Sequence, residues 1–373
     1  MMEIKYEVSM VELFELMMEY GSSDLHLVAG TKPCLRINSE IERIEELPEL
    51  KPGHLIHLLR EVVTQEEFEH FEKTWELDFS YSIPGLARFR GNAMKQRGSI
   101  AMVFRAIPFV VPDFEQLGLL PQLRELCFLS RGLVLVTGPT GAGKSTTLAS
   151  MIDIINRERK ANIITIEDPI EFLHRHKLST VRQRELGIDT HSFAEALRHV
   201  LRHDPDVILI GEMRDLESIS IALTAAETGH LVFSTLHTQT APLTISRIID
   251  VFSAERREQI RQQLANCLRG IISQQLLKKK SGGRCVAIEF MINTPAIKSL
   301  IREGKEHQLY NAIQMGGALG MQTMDMALMK LYNQGEISKE TVYEHCIDKT
   351  EIDRMMKYGN FVDPNPNSND NKW

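Results

Sequence analysis

Gly132-Leu-Val-Leu-Val-Thr-Gly138-Pro139-Thr140-Gly141-Ala142-Gly143-Lys144-Ser145-Thr146-Thr147 decides how this chain reads. The apolar run Leu133–Val136 predicts a buried strand, and Leu148, Met151, Ile152 and Ile155 predict a helix after it. Between them, Gly138–Ser145 satisfies every position of the phosphate-loop pattern G-x-x-x-x-G-K-[ST]. Glycines let successive backbone amides curl round a β-phosphate, and the helix N-terminus adds the positive end of its dipole. Residues Gly138, Pro139, Thr140, Gly141, Ala142, Gly143, Lys144, Ser145 and Thr146 are therefore the expected nucleotide contacts. Lys144 is expected to reach the β- and γ-phosphates of ATP, and the Ser145 hydroxyl to ligate Mg2+.

Further strands lie downstream. Ile163–Ile166, Val207–Ile210 and Leu231–Ser234 are short, fully apolar and separated by amphipathic stretches, as in a parallel sheet covered by helices. Two of them end in carboxylates. Glu212 follows Val207–Ile210 and is expected near the metal, holding it through water or polarising the attacking water. The alternative for the carboxylates of 204–215 is a helix cap and a surface charge. Glu167 and Asp168 follow Ile163–Ile166, where Pro169 breaks the strand, so one of them is a candidate to position the hydrolytic water. His230 and His237 bracket Leu231–Ser234 and are candidate γ-phosphate sensors or interface groups. The segment 254–358 reads as mostly helical.

Upstream, Val8, Val11, Leu13, Phe14, Met17 and Met18 have helical spacing up to Gly21. Strand-like stretches follow at 24–28, 34–41, 77–82, 87–94 and 100–107, with helical ones within 54–72. Together they predict a small α+β unit. Arg88 and Arg90 alternate onto one strand face, and Arg97 and Arg105 follow. They are either a solvated face or, in a ring, arginines supplied in trans to a neighbour's nucleotide. Pro108 and Pro112 punctuate an expected linker within 106–114. The Asn-, Asp- and Pro-rich end, 359–373, reads as a disordered tail.

At 373 residues the chain has room for two units, and 43% apolar with 25% charged residues is a globular composition. A net charge of −7 speaks against nucleic acid as a partner, and so against a DNA-translocating motor. No apolar run approaches the roughly 20 residues of a membrane span, and the N-terminus has no signal-peptide core. A cytoplasmic protein without an integral membrane segment is the expectation. Five scattered cysteines, an odd count with no close pairs, argue against a disulfide framework and against a paired-cysteine zinc site.

In this order, the phosphate loop, the acidic box Thr165–Glu171, the acidic strand 204–215 and the histidine box 228–237 resemble the secretion and type IV pilus ATPase superfamily. Ser23-Asp24-Leu25-His26 resembles a short motif near the start of its N-terminal domains. Ala296-Ile-Lys-Ser-Leu-Ile-Arg-Glu303 is similar to the AIRNLIRE signature of the PilT/PilU retraction branch, departing at Lys298 and Ser299. Within that branch, Ile352–Lys357 is more like its accessory member, the alternative reading, while the intact acidic strand with Glu212-Met-Arg-Asp215 fits the retraction motor better. An expected lack of the extra N-terminal domains and of the zinc insertion of the assembly and secretion branches also favours the retraction branch.

The resemblance implies an α/β chain with a PAS-like α+β domain at 1–107, a linker at 108–114 and a RecA-like ATPase domain at 115–358 with a helical C-terminal part. It implies a homohexamer driving pilus retraction and twitching motility, peripheral to the pilus machinery of the inner-membrane platform. It assigns Glu167 as general base, Glu212 to the metal, and Arg88, Arg90 and Arg105 to the nucleotide, with His230 and His237 in the histidine box. The AIRNLIRE-like helix has two readings, core packing or coupling of nucleotide state to pilus disassembly.

Overall fold

The computed structural model describes residues 5–37, 40–107, 110–213 and 215–358. Pro108 and Phe109 of the expected linker, Arg214 and the expected tail at 359–373 lie outside these residues. The chain divides into two compact units, residues 1–110 with 171–173, and 111–170 with 174–373.

The first unit contains helices α1 (Met10–Glu19), α2 (Pro52–Val62) and α3 (Gln65–Thr74). Its strands are β1 (Asp24–Val28), β2 (Cys34–Ile37), β3 (Glu40–Arg43), β4 (Glu76–Ile83), β5 (Ala87–Gln96) and β6 (Ser99–Ile107). Among the described residues these strands form one antiparallel sheet in the order β3-β2-β1-β6-β5-β4. Helix α1 starts where the sequence favours it. Ser9 and Glu12 form a capping box, which satisfies N–H groups that the first turn would otherwise orphan. Met10, Leu13, Phe14 and Met17 make its buried stripe. Phe14 stacks on Phe89 at 3.9 Å between ring centroids and meets Phe104 edge-on. Along β5, buried Ala87, Phe89, Gly91 and Ala93 alternate with outward Arg88, Arg90 and Asn92, as a half-covered sheet requires. Gly91 is needed there because a Cβ would stand 2.5 Å from the Phe79 ring.

The second unit contains α4 (Leu123–Leu126), α5 (Lys144–Glu158), α6 (Phe193–Val200), α7 (Leu216–Thr228), α8 (Ala241–Asp250) and α9 (Ala254–Cys267). Helices α10 (Pro295–Arg302), α11 (Leu309–Met315), α12 (Met324–Asn333), α13 (Lys339–His345) and α14 (Lys349–Tyr358) follow. Its strands are β7 (Gly132–Thr137), β8 (Asn162–Glu167), β9 (Thr180–Glu185), β10 (Val207–Ile210), β11 (Leu231–Leu236), β12 (Leu268–Lys278) and β13 (Arg284–Ile292). The sheet order is β13-β12-β7-β11-β10-β8-β9, with β13 antiparallel to β12 and the other neighbours parallel. Both faces are covered. Val134, Val136 and Phe233 pack with Met151, Ile152 and Ile155 of α5. Leu133, Leu135 and Val232 pack with α7, α8 and α9 on the other side.

Four regions differ from the sequence reading. The segment 254–358 is mostly helical, as expected, but its first half also holds β12 and β13, an unforeseen hairpin that extends the sheet beside β7. Ser273, Gln274 and Gln275 are all buried in β12, and polar residues inside a strand hide its apolar period. The stretch 34–41 is not one strand, for β2 and β3 are antiparallel neighbours within it. Strand β9 had no apolar run to announce it. The region read as a linker from Ala106 to Phe114 is structured at both ends, with Ala106 and Ile107 in β6 and Phe114 buried against the second unit's core.

Candidate active site

The carboxyl ends of β7, β8, β10 and β11 open on the same edge of the second sheet, the usual position of a ligand crevice in an open α/β sheet. Gly138, Gly141 and Gly143 all have positive φ, so the loop after β7 takes a path that side chains disfavour. Gly143 is the N-cap of α5, and Lys144 begins the helix. Pro139, Thr140 and Ala142 complete the turn. Ser145 and Thr146 are half-buried in the first turn of α5.

Lys144 is buried and folded back onto its own loop. Its ammonium donates to the carbonyls of Gly138 at 2.9 Å and Pro139 at 3.1 Å. It also lies 3.4 Å from Nδ1 of His237. An ammonium has only donors, so Nδ1 must accept and Nε2 carries the ring proton. That Nε2 stands 3.2 Å from Oε1 of Glu212. One histidine thus links the phosphate-loop lysine to the carboxylate after β10. A γ-phosphate arriving at Lys144 would compete with this contact, which gives His237 a physical means of sensing it.

Glu167 ends β8. Its Oε1 accepts from Thr165 Oγ1 at 2.6 Å and from Gln183 Nε2 at 3.0 Å. Gln183 is held in turn, since its own oxygen accepts from the backbone of His174. Gly211 brings the end of β10 close to that of β8, donating to Ile166 at 2.7 Å. A Cβ at 211 would stand 3.2 Å from the Glu167 Cα. Glu167 and Glu212 therefore leave adjacent strands at one level. Asp168 is exposed beside Glu167. Asp215 has the capping role weighed for this segment, accepting from Ser218 N at the start of α7.

His230 does not join this group. It stands at the opposite end of β11 from His237, and its Nδ1 lies 3.0 Å from the carbonyl of Ala225. Only a ring N–H can serve an acceptor, so the histidine donates to the last turn of α7. In the AIRNLIRE-like helix α10, Ile297 and Ile301 are wholly buried, so core packing accounts for both. Leu300 is partly buried, and Arg302 donates to Asn266 at 2.8 Å.

Arg88, Arg90 and Arg105 lie on the outer face of the first unit's sheet, whereas Arg97 stands in the turn between β5 and β6. Arg90 pairs with Arg105 across β5 and β6, Arg105 with Asp24, and Asp24 with Arg36. The result is a cross-strand row of charge. Asp24 is only 6% exposed and accepts from Arg105 Nε at 2.8 Å, while Arg36 approaches at 3.8 Å. Arg88 lies two residues from Arg90 on the same face.

Sequence reading missed Gln183, Gln274 and Glu289. Glutamines carry no motif, and only tertiary neighbours reveal what they hold. Glu289 lies fully buried on β13 and accepts from the backbone of Ala241 at 2.6 Å and of Met324 at 3.3 Å. Burial pushes its carboxyl up to about 7, with the backbone bonds opposing.

A phosphate loop, two carboxylates at neighbouring strand ends and a histidine between lysine and carboxylate, on a mainly parallel sheet, define a RecA-like P-loop ATPase. The chain belongs to the type II/IV secretion system protein family, whose model matches residues 87–344. It is 51% identical to the type IV pilus retraction ATPase PilT of Pseudomonas aeruginosa, over 90% of this chain and 98% of that one. It is 40% identical to the type IV pilus ATPase PilU of the same organism, over 94% and 92%. A crystal structure of the pilus retraction motor PilT with bound ADP superposes with a TM-score of 0.88 at 49% identity, covering 94% of this chain and all of that one. Among the described residues, no helix is long and apolar enough to cross a membrane.

Proposed function

We propose that this chain is the ATP hydrolase that drives type IV pilus retraction. The observation that carries the reading is the convergence of Lys144, His237 and Glu212 at the mouth of the phosphate loop. The higher identity to PilT, 51% against 40% for PilU, supports a retraction motor over its accessory paralogue. ATP binds with its phosphates along Gly138–Thr146 and its γ-phosphate at Lys144. Glu167, oriented by Thr165 and Gln183, accepts a proton from the attacking water. Glu212 and His237 report the γ-phosphate.

Mg2+ suits this donor set. Ser145 and Glu212 offer oxygen ligands, and among the described residues no cluster of three or more His, Cys, Asp or Glu forms a metal cage. Magnesium keeps waters and nucleotide oxygens as ligands and needs only one or two from protein. When bound, it neutralises charge on the transferring phosphoryl group. In a homohexameric ring, Arg88, Arg90 and Arg105 approach a nucleotide and His230 serves an interface. The ring works in the cytoplasm, at the inner-membrane base of the pilus. Residues 1–107 act as the PAS-like domain, with a hinge before Phe114, which belongs to the core of the ATPase domain that runs to 358.

Deleting the gene in its source organism tests the whole reading. Surface pili that accumulate and do not retract are the expected result. Near-normal piliation with weakened retraction force would instead assign the accessory role, and normal retraction would reject both.

A further inference from the structure

Strand β12 runs parallel beside β7, and their last paired residues, Ser273 and Thr137, share a hydroxyl–hydroxyl bond of 2.8 Å. The next residue, Gln274, is 1% exposed and lies against the phosphate loop. Its Nε2 donates to the carbonyl of Ala142 at 2.6 Å, and its Oε1 accepts from Thr147 Oγ1 at 3.0 Å. The amide orientation follows from its partners, because a backbone carbonyl can only accept. The backbone of Gln274 closes on the loop as well. Its carbonyl oxygen lies 2.2 Å from where a Cβ on Gly138 would stand, and its Nε2 lies 3.3 Å from the same point on Gly143.

One residue therefore meets the loop at its first glycine, at the turn into α5 and at the first turn of that helix. A trans peptide is planar, so its C=O and the following N–H point in opposite directions. Holding the Ala142 carbonyl toward β12 turns the Gly143 N–H away from it, to the side that a phosphate would occupy. We propose that Gln274 is a positioning residue for the nucleotide phosphates, presetting the Ala142–Gly143 peptide so that no loop rearrangement is needed on binding. The inference rests on reading 138–145 as the phosphate site.

The test uses the full chain. Gln274→Met keeps volume and removes both hydrogen bonds. Losing one buried bond to a binding peptide is expected to raise KM for ATP about tenfold. The ADP-induced rise in melting temperature should shrink, while the melting temperature without nucleotide stays within a few degrees. Thr147→Val leaves the Ala142 contact but removes the partner that orients the amide, so a rise of about threefold is expected. The double variant should be no worse than Gln274→Met alone, since both act through one group.

A Gln274→Met enzyme with wild-type KM would overturn the proposal, as would a lowered melting temperature with KM unchanged. Additive effects in the double variant would overturn it too. Should Gln274→Met fail to fold, Thr147→Val decides, and an unchanged KM there rejects the idea. Lys144→Ala separates the two levels of inference. Hydrolysis retained in that variant would bring down the phosphate-loop reading itself, whereas its loss beside a normal Gln274→Met enzyme would reject only the role of Gln274.

Discussion

The two sheets carry their charged groups in different places. In the seven-stranded sheet, Lys144, Glu167, Glu212 and His237 all stand at or just beyond strand ends. In the six-stranded sheet, Arg36, Asp24, Arg105 and Arg90 lie within the strands themselves, Asp24 at the start of β1, in a row across one face. Helices cover both faces of the first of these sheets, so a charge placed mid-strand would be desolvated. Reactive groups are left with the carboxyl edge. The antiparallel sheet packs its main core against one face, and its other face can display arginines at the 2-residue period of the strand. Position in a sheet thus separates the groups proposed for chemistry from those proposed for contact.

The sharpest way to break this contrast is at the edge itself. Glu167→Gln should lower ATP turnover about 100-fold or more while nucleotide still binds, the usual scale for a lost general base. Glu212→Gln should also impair turnover, with a raised magnesium requirement, because its proposed role is on the metal side. Near-normal phosphate release by Glu167→Gln would transfer the base role elsewhere. The two ends of β11 provide the next comparison. His237→Asn is expected to cost about tenfold in kcat/KM, since it severs the link between Lys144 and Glu212. His230→Asn should leave turnover by the isolated chain unchanged. Equal losses from both would show that distance from the phosphate loop does not matter.

On the antiparallel face the expected effect is on stability. Asp24→Ala leaves Arg105 and Arg36 without their carboxylate. Arg105 is 71% exposed, so water offsets part of the loss. A decrease of about 2 kcal/mol in unfolding free energy, read from urea titration, is expected. A variant as stable as the wild type would mean that the row contributes nothing to holding β1 against β6.

The smallest effect concerns Glu289, a mid-strand carboxylate in the covered sheet with backbone N–H groups for partners. Its folded pKa is raised to about 7, chiefly by burial, above the value of 4.5 usual for the side chain. The folded state therefore binds a proton more tightly than the unfolded chain. This contribution to stability is fully present below about 4.5 and is lost as pH rises through about 7. Glu289→Gln should flatten the fall in urea midpoint across that window. At pH 8 its net effect should be about 1 kcal/mol or less, because the amide loses one of the two backbone bonds. An unchanged pH slope would assign the fall to other groups.

Much of this architecture is legible in the sequence. Capped, periodic stretches such as Ser9–Glu19 and unbroken apolar runs such as Leu133–Val136 contain their own signal, because backbone geometry sets the spacing of buried positions. The loop at Gly138–Ser145 is equally local, since its glycines and lysine act within eight residues. Strand β12 was hidden because its buried Ser273, Gln274 and Gln275 are satisfied by partners far along the chain. The site divides along the same line. From sequence alone come a nucleotide pocket, its lysine and hydroxyl, and the carboxylates that follow apolar strands. Tertiary structure alone decided that His237 joins Lys144 to Glu212 while His230 caps a helix, and that Gln274 grips the loop. Hydrogen bonds between distant segments obey no period, and only the packed sheet brings their two ends together.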